Sequence, residues 1–437
     1  MKRIMSSGVS GLDNILGGGF LRPSTILIAG GVGAGKTTLA LQSLFHAARR
    51  KERCLFIASA SEPITSITNY LSSYSFFDPD CETMHFMDAG ELQRENKDVI
   101  AAIRASIESI KPDRVVIDSF FSLASRDRDA MYALFAYLKG KDILLFLTDV
   151  FTKERLNDHY IAALVDGVLF LSRDEGRRWL RVLKLRGQNI SIKRHAFKFS
   201  AAGIEVFPKL NLDEAAAMSD NRIRLGVRGI EQILNEDVLE GSAILAAGEI
   251  GTGKTLFGFH FIHAGAMEGK KGLIISLNED LATIKRNARH FGFDFNTIVD
   301  NGLLDVFYVP VIDMVPDEHL KQLKEALRGV NRVLIDGVSC YQSAFSVRSE
   351  YTQFLRTFIS LCKSRGITTM FTTDTDPGAY YPAGIAHLVD GIILLSCAEE
   401  MGVKRRYVEI IKMIGSAHTT GKKLMDITSR GLEVSPS

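Results

Sequence analysis

Gly30-Gly31-Val32-Gly33-Ala34-Gly35-Lys36-Thr37 and, 218 positions later, Gly248-Glu249-Ile250-Gly251-Thr252-Gly253-Lys254-Thr255 decide the fold of this 437-residue chain. Each stretch has the G-x-x-x-x-G-K-T spacing of a phosphate-binding loop. Each follows an apolar run, TILIAG or AILAAG, and opens a helical pattern, LALQSLFHAA or LFGFHFIHAG. That strand–loop–helix context is what the spacing needs in order to bind. Glycines let backbone N–H groups turn inward around phosphate oxygens, and the helix N-terminus adds the positive end of its dipole. Lys36 and Lys254 are placed to reach β- and γ-phosphates, and Thr37 and Thr255 to offer a hydroxyl to Mg²⁺. The expected nucleotide contacts are Gly30, Gly33, Ala34, Gly35, Lys36, Thr37 and Thr38 in the first stretch. In the second they are Gly248, Gly251, Thr252, Gly253, Lys254, Thr255 and Leu256. The expected cofactors are ATP and Mg²⁺.

Outward from these loops, the chain repeats itself. Asp118 in RVVIDSF and Asp336 in RVLIDGV keep the same 218-residue offset, as do Gly8 with Gly226 and Gly11 with Gly229. So long a period means a duplicated domain rather than a solenoid. Each aspartate follows its P-loop lysine by 82 residues at the end of an apolar run, where a Mg²⁺-coordinating acid is expected. Later anchors drift. Asp166 and Asp390 differ by 224 and Lys184 and Lys412 by 228, so the second copy carries small insertions. The expected division is 1–210, a linker at 211–222 where Pro, Asn and Asp cluster nearby, and 223–437. Short continuous apolar runs (CLFIAS, RVVIDS, ILLFLTD, GVLFLS; then GLIISL, RVLIDG, TTMFTTD, GIILLS) alternate with helical stretches. That pattern predicts an α/β fold: two tandem P-loop domains, each a mostly parallel sheet with helices on both faces and its ligand edge at the strand C-termini.

Composition narrows the function classes. The chain is 46% hydrophobic and 24% charged, as a globular protein is, and its formal net charge of +2 gives no bulk attraction for nucleic acid or an anionic membrane. No apolar run is long enough to span a bilayer, and MKRIMSSGVSGLDNILGGGF lacks the apolar core of a signal peptide. Five cysteines, Cys54, Cys81, Cys340, Cys362 and Cys397, form no C-x-x-C pair and fit reduced thiols in a cytoplasmic protein. The histidines show no metal-ligand spacing. Trp179 and the pairs Phe76-Phe77 and Phe120-Phe121 read as packing residues.

Taken together, SSGVSGLDNILGGGF, the two P-loops, the 82-residue spacing and the KLRG segment resemble the KaiC family of RecA-like ATPases across nearly the whole chain. The second lead-in keeps the pattern in worn form as RLGVRGIEQILNEDV. The resemblance implies a stacked double ring, commonly a homohexamer with ATP at subunit interfaces, and catalytic cations acting in trans. By that resemblance Lys184 and Arg186 of one subunit approach the γ-phosphate of the next. In the second copy Lys412 matches, but Ile414 stands where an arginine would. The family's pair of adjacent glutamates, which activates water or hydroxyl, is also altered. Ala60 and Ser61 occupy it in the first copy, with Glu62 one residue later and usable only if the loop shifts register. In the second copy Asn278 and Glu279 occupy it, so Glu279 is the candidate base.

These departures predict an ATP hydrolase with slow turnover, acting as a nucleotide-dependent switch for an unidentified regulatory or signalling protein. The alternatives are a serine/threonine autokinase of KaiC type and a RecA-like DNA-acting ATPase. The balanced charge argues against the DNA-acting reading. Against the autokinase, Ala386 and His387 stand where the clock members of the family carry their Ser-Thr acceptor pair, although Ser416 and Thr419 are nearby hydroxyls. His418 lies where the family often has a histidine near the trans site. The chain ends soon after its last strand, at GLEVSPS, without the tail to which a clock regulator docks, which argues against a full oscillator.

Overall fold

The computed structural model of the chain describes residues 3–59, 63–95, 98–123, 128–174, 176–209, 219–311, 314–345, 347–375, 384–400 and 402–435. The chain divides into two units, Met1–Lys209 and Leu210–Ser437. Most of the expected linker, and Ala60, Ser61 and Glu62, lie outside the described residues.

In the first unit the apolar runs form strands β1 (Ser24–Gly30), β2 (Cys54–Ala58), β3 (Met84–Asp88), β4 (Arg114–Asp118), β5 (Leu144–Val150) and β6 (Gly167–Asp174), followed by β7 (Arg177–Leu185), β8 (His195–Ser200) and β9 (Gly203–Phe207). They make one nine-stranded sheet ordered β9-β8-β7-β6-β1-β5-β4-β2-β3. The six strands from β6 to β3 run parallel. Strands β7, β8 and β9 return antiparallel. The second unit repeats this with β10 (Ala243–Gly248), β11 (Gly272–Ser276), β12 (Leu304–Tyr308), β13 (Arg332–Asp336), β14 (Thr368–Asp374), β15 (Gly391–Glu400), β16 (Val403–Met413), β17 (Lys423–Thr428) and β18 (Gly431–Val434). Its order, β12-β11-β13-β14-β10-β15-β16-β17-β18, is the same arrangement strand for strand. Cores lie on both faces of each sheet, which is why the parallel strands read as unbroken apolar runs.

The drifting offsets now have locations. Of the extra residues in the second copy, six fall between β13 and β14, where helix Arg348–Lys363 is longer than Arg128–Lys139. The other four lengthen the β15–β16 hairpin relative to β6–β7. The lead-in glycines are explained by packing. A Cβ on Gly11 would lie 2.0 Å from the Val206 carbonyl oxygen, and one on Gly229 2.5 Å from that of Val434. Both glycines have positive φ, at 77° and 80°, so the lead-in can lie against the last strand of its unit.

A buried arginine at the start of the fourth strand fastens each lead-in to the P-loop helix. Arg114 pairs with Glu52 at 2.9 Å and donates to the Ser6 carbonyl and the Ser43 hydroxyl. Arg332 pairs with Glu268 at 2.9 Å and donates to the carbonyls of Arg224 and Phe261.

Three buried histidines are pushed down to about 4, chiefly by burial: His195 in the first unit, His260 and His319 in the second. His260 illustrates the cause. One ring nitrogen faces the Gly226 carbonyl at 3.0 Å, and the other accepts the Leu432 N–H at 2.8 Å, so the ring must stay neutral. Gln42 fills the matching place in the first unit, with its amide bonded to both the N–H and the carbonyl of Ile204. The unfolded chain takes up these protons below pH 6.5, so folding stability falls as the pH drops from about 6.5 toward 4. Each histidine contributes a slope of about 1.4 kcal/mol per pH unit. Urea unfolding between pH 6.5 and 5 should show this, and His260→Gln should flatten the slope by about one proton. An unchanged slope would show that His260 titrates normally.

Candidate functional sites

Both P-loops leave the C-terminal end of a central strand flanked on each side. Gly30 is in register with Val150 on β5 and Leu171 on β6. Gly248 is in register with Asp374 on β14 and Leu395 on β15. Helices Lys36–Ala48 and Lys254–Met267 begin at the P-loop lysines. The glycines before them, Gly35 and Gly253, have φ of 102° and 101°, which a side chain would strain. The second-site contacts expected at Gly248, Gly251, Thr252, Gly253 and Leu256 and the first-site contacts expected at Gly30, Gly33, Ala34 and Thr38 all fall on these loop–helix corners.

The two lysines find different partners. Lys36 Nζ donates to the carbonyls of Gly30 and Gly31 at 3.2 and 2.8 Å. Burial lowers its pKa, opposed by Asp118 and Asp149. Lys254 Nζ donates to the Glu249 carbonyl at 2.7 Å and pairs with Asp374 at 2.9 Å.

One strand intervenes between each P-loop strand and the strand that ends in aspartate, and a threonine on it bridges the gap. Thr148 is in register with both Ile28 and Asp118, and its hydroxyl donates to Asp118 Oδ1. Asp118 Oδ2 is buried and has no hydrogen-bond partner among the described residues. In the second unit Thr372 donates to Asp336 Oδ1 at 2.5 Å, and the P-loop Thr255 donates to both Asp336 oxygens at 3.2 Å. Burial raises the Asp336 pKa, against the lowering effects of Thr372, Thr255 and Lys254. A spare buried carboxylate oxygen beside one P-loop, and a direct threonine–aspartate contact beside the other, are the donor chemistry that Mg²⁺ takes: hard oxygens, few in number.

Glu279 lies on the same edge, two residues before helix Leu281–Arg289. Its N–H donates to the Ser276 hydroxyl at 2.9 Å, and Asn287 Nδ2 reaches both of its carboxylate oxygens at 3.3 and 3.2 Å. The carboxylate is half-buried. Its strand stands three places from the P-loop strand, on the order of 14 Å across the sheet.

The basic candidates lie elsewhere. Lys184 is in register with Val168, the second residue of β6, which is level with Leu27 halfway along β1. It donates to the Ala162 and Ala163 carbonyls, and burial lowers its pKa, with Arg186 adding to the effect. Arg186 donates to the Ala163 carbonyl and lies 3.5 Å from Asp166. Lys412 donates to the Val389 carbonyl at 2.6 Å, and Ile414 is exposed. The three cations bond to carbonyls just before β6 or β15, away from the strand C-termini that carry the P-loops. Ser416 is buried, donating to the Asp237 carbonyl and accepting from Arg222. Thr419 Oγ1 donates to the Ile233 carbonyl, and His418 Nδ1 faces the Ser416 carbonyl at 3.4 Å.

Sequence reading missed one repeated contact. Arg178 on β7 donates to the Gly33 carbonyl at 2.9 Å while stacking 4.7 Å above Phe199. Arg406 on β16 donates to the Gly251 carbonyl at 3.4 Å. These arginines share the 228 offset of the Lys184–Lys412 pair, so the signal was present in the repeat.

Comparison with known proteins agrees with the geometry. The family described as "ATPase: KaiC" matches residues 5–211 and again 223–437. Among curated relatives, a protein named Circadian clock oscillator protein KaiC from Acaryochloris marina is 27% identical, the match covering 98% of this chain and 87% of the relative. That of Thermostichus vulcanus is 28% identical over 98% and 88%, and Circadian clock oscillator protein KaiC 1 of a Synechocystis strain is 27% identical over 98% and 88%.

If the arginines brace the P-loop tips, Arg178→Ala should speed hydrogen exchange at the Val32–Gly33 amides by roughly tenfold while leaving the β1 amides protected. Unchanged exchange at the tip would show that Arg178 carries no support for the loop.

Proposed function

This chain belongs to the KaiC ATPase family, with one family domain in each half, and we propose that each half holds ATP with Mg²⁺ and that the protein is a slow ATP hydrolase. The observation that supports this is the joint of P-loop, bridging threonine and strand-end aspartate, formed in the same register in both units. Lys36 and Lys254 would take the β/γ-phosphates, and the helix N-termini would supply backbone N–H groups. Thr37 with Asp118, and Thr255 with Asp336, are the residues that would hold Mg²⁺, which when bound neutralises charge on the phosphates.

Hydrolysis is proposed to be concentrated in the second unit. Glu279 is half-buried and held by Asn287, as a general base needs to be. Lys184, Arg186 and Lys412 are proposed to act on nucleotide held by a neighbouring copy, since each bonds to carbonyls ahead of β6 or β15 rather than at the strand ends that carry its own P-loop. That role needs a homo-oligomer, hexameric by family expectation. A nucleotide-dependent change of that assembly, read by a regulatory protein, is the switch we propose. Water is the proposed acceptor. Ala386 and His387 carry no hydroxyl, and the Ser416 hydroxyl is buried and occupied. The cysteines are free thiols among the described residues, and no helix described is long and apolar enough to cross a membrane. We therefore place the protein in the cytoplasm.

Glu279→Gln keeps the shape and the Asn287 contact but removes the base. Phosphate release from ATP should fall by about 10²-fold with ATP binding retained. Full turnover by that variant would rule out Glu279 as the base.

A further inference from the structure

The two nucleotide cradles differ in what occupies the lysine. In the first, Lys36 Nζ rests on the Gly30 and Gly31 carbonyls. In the second, Lys254 Nζ meets the Asp374 carboxylate at 2.9 Å, and the lysine side chain is only 10% exposed. The difference comes from one strand position. Gly30 is in register with Val150, and Gly248 with Asp374. The first unit also has an acid near this point, Asp149, but one residue earlier, so it leaves the opposite face of the strand. Its oxygens accept the Phe121 and Val150 N–H groups at 2.7 and 2.8 Å. Asp374 instead projects beside the lysine, and it also bears on Asp336, whose carboxyl it helps to push up. Glu249, where the first loop has Gly31, adds a further acid to the second loop.

We infer that Asp374 is an affinity-setting residue of the second cradle, an internal competitor that occupies Lys254 until the triphosphate of a nucleotide displaces it. This rests on the reading that the second P-loop holds ATP. Lys254 must give up this contact when it turns to the phosphates, so the contact stabilises the nucleotide-free form and lowers the apparent affinity by the same factor. The carboxylate also stays close to the incoming phosphates, so Mg²⁺, which offsets their charge, matters more to this cradle than to the first. The two sites of one chain then fill at different ATP concentrations.

The test uses the full-length chain with Lys36→Ala, so that binding is read at the second cradle alone, with ATP titrated calorimetrically with and without Mg²⁺. Adding Asp374→Asn, or Asp374→Val to copy the first unit, should tighten ATP binding roughly five- to tenfold, the range expected for a partly exposed ion pair plus removal of a like charge. The gain should be larger without Mg²⁺. In a Lys254→Ala background, Val150→Asp should weaken the first cradle. Unchanged or weaker binding in both Asp374 variants, with melting temperatures showing them folded, overturns the inference. No binding to the Lys36→Ala chain or to either double variant would overturn the underlying reading of the second P-loop, and this inference with it.

Discussion

A threonine on one strand donating to an aspartate at the end of the next is the constraint around which each unit is arranged. Thr148 can reach Asp118, and Thr372 can reach Asp336, because parallel strands in register place residues of the same level on the same face. A slip of one residue would turn either side chain into the opposite layer. The same register sets Gly30 level with Val150 and Gly248 level with Asp374, so the position of the P-loop relative to the acid follows from it. Side-chain packing on both faces fixes that register, since a one-residue shift would send every side chain into the opposite core layer. The position of the P-loop edge is thus a by-product of how the core is packed.

On this common frame the two units have diverged by single residues. The first keeps Lys184 and Arg186, and the second keeps Lys412 with Ile414. The second holds Glu279 against Asn287. Its lysine faces an acid where the first unit has valine. Within its own unit each of these cations bonds, among the described residues, only to carbonyls and Asp166; the proposed role between copies is to stabilise charge developing on a phosphoryl held next door. With two unequal sites of that kind, such a chain would respond to nucleotide in more than one step.

The P-loops, the duplication and the parallel core were legible because each leaves a local pattern. Glycine spacing marks the loop, a constant offset marks the copy, and unbroken apolar runs mark strands covered on both faces. The antiparallel strands and the parallel edge strand β3 were not legible in the same way. RRWLRVLKL, which forms β7, carries charges on a half-exposed face, and MHFMD, the edge strand β3, is short and mostly half-buried. The buried arginines Arg114 and Arg332 looked like ordinary charges at strand starts, since their partners Glu52 and Glu268 come from distant turns. Asp374 was invisible for another reason. The six-residue insertion ahead of it broke the 218 offset, and its meaning depends on pleat direction, which one residue reverses.

Native mass in solution, measured with and without MgATP, tests whether each site is completed by a second copy. A ring-sized assembly, six chains by family expectation, should form or tighten with MgATP and weaken when Lys36 and Lys254 are both replaced by alanine. A chain that stays monomeric at saturating MgATP would contradict it, because Lys184, Arg186 and Lys412 would then have no nucleotide within reach.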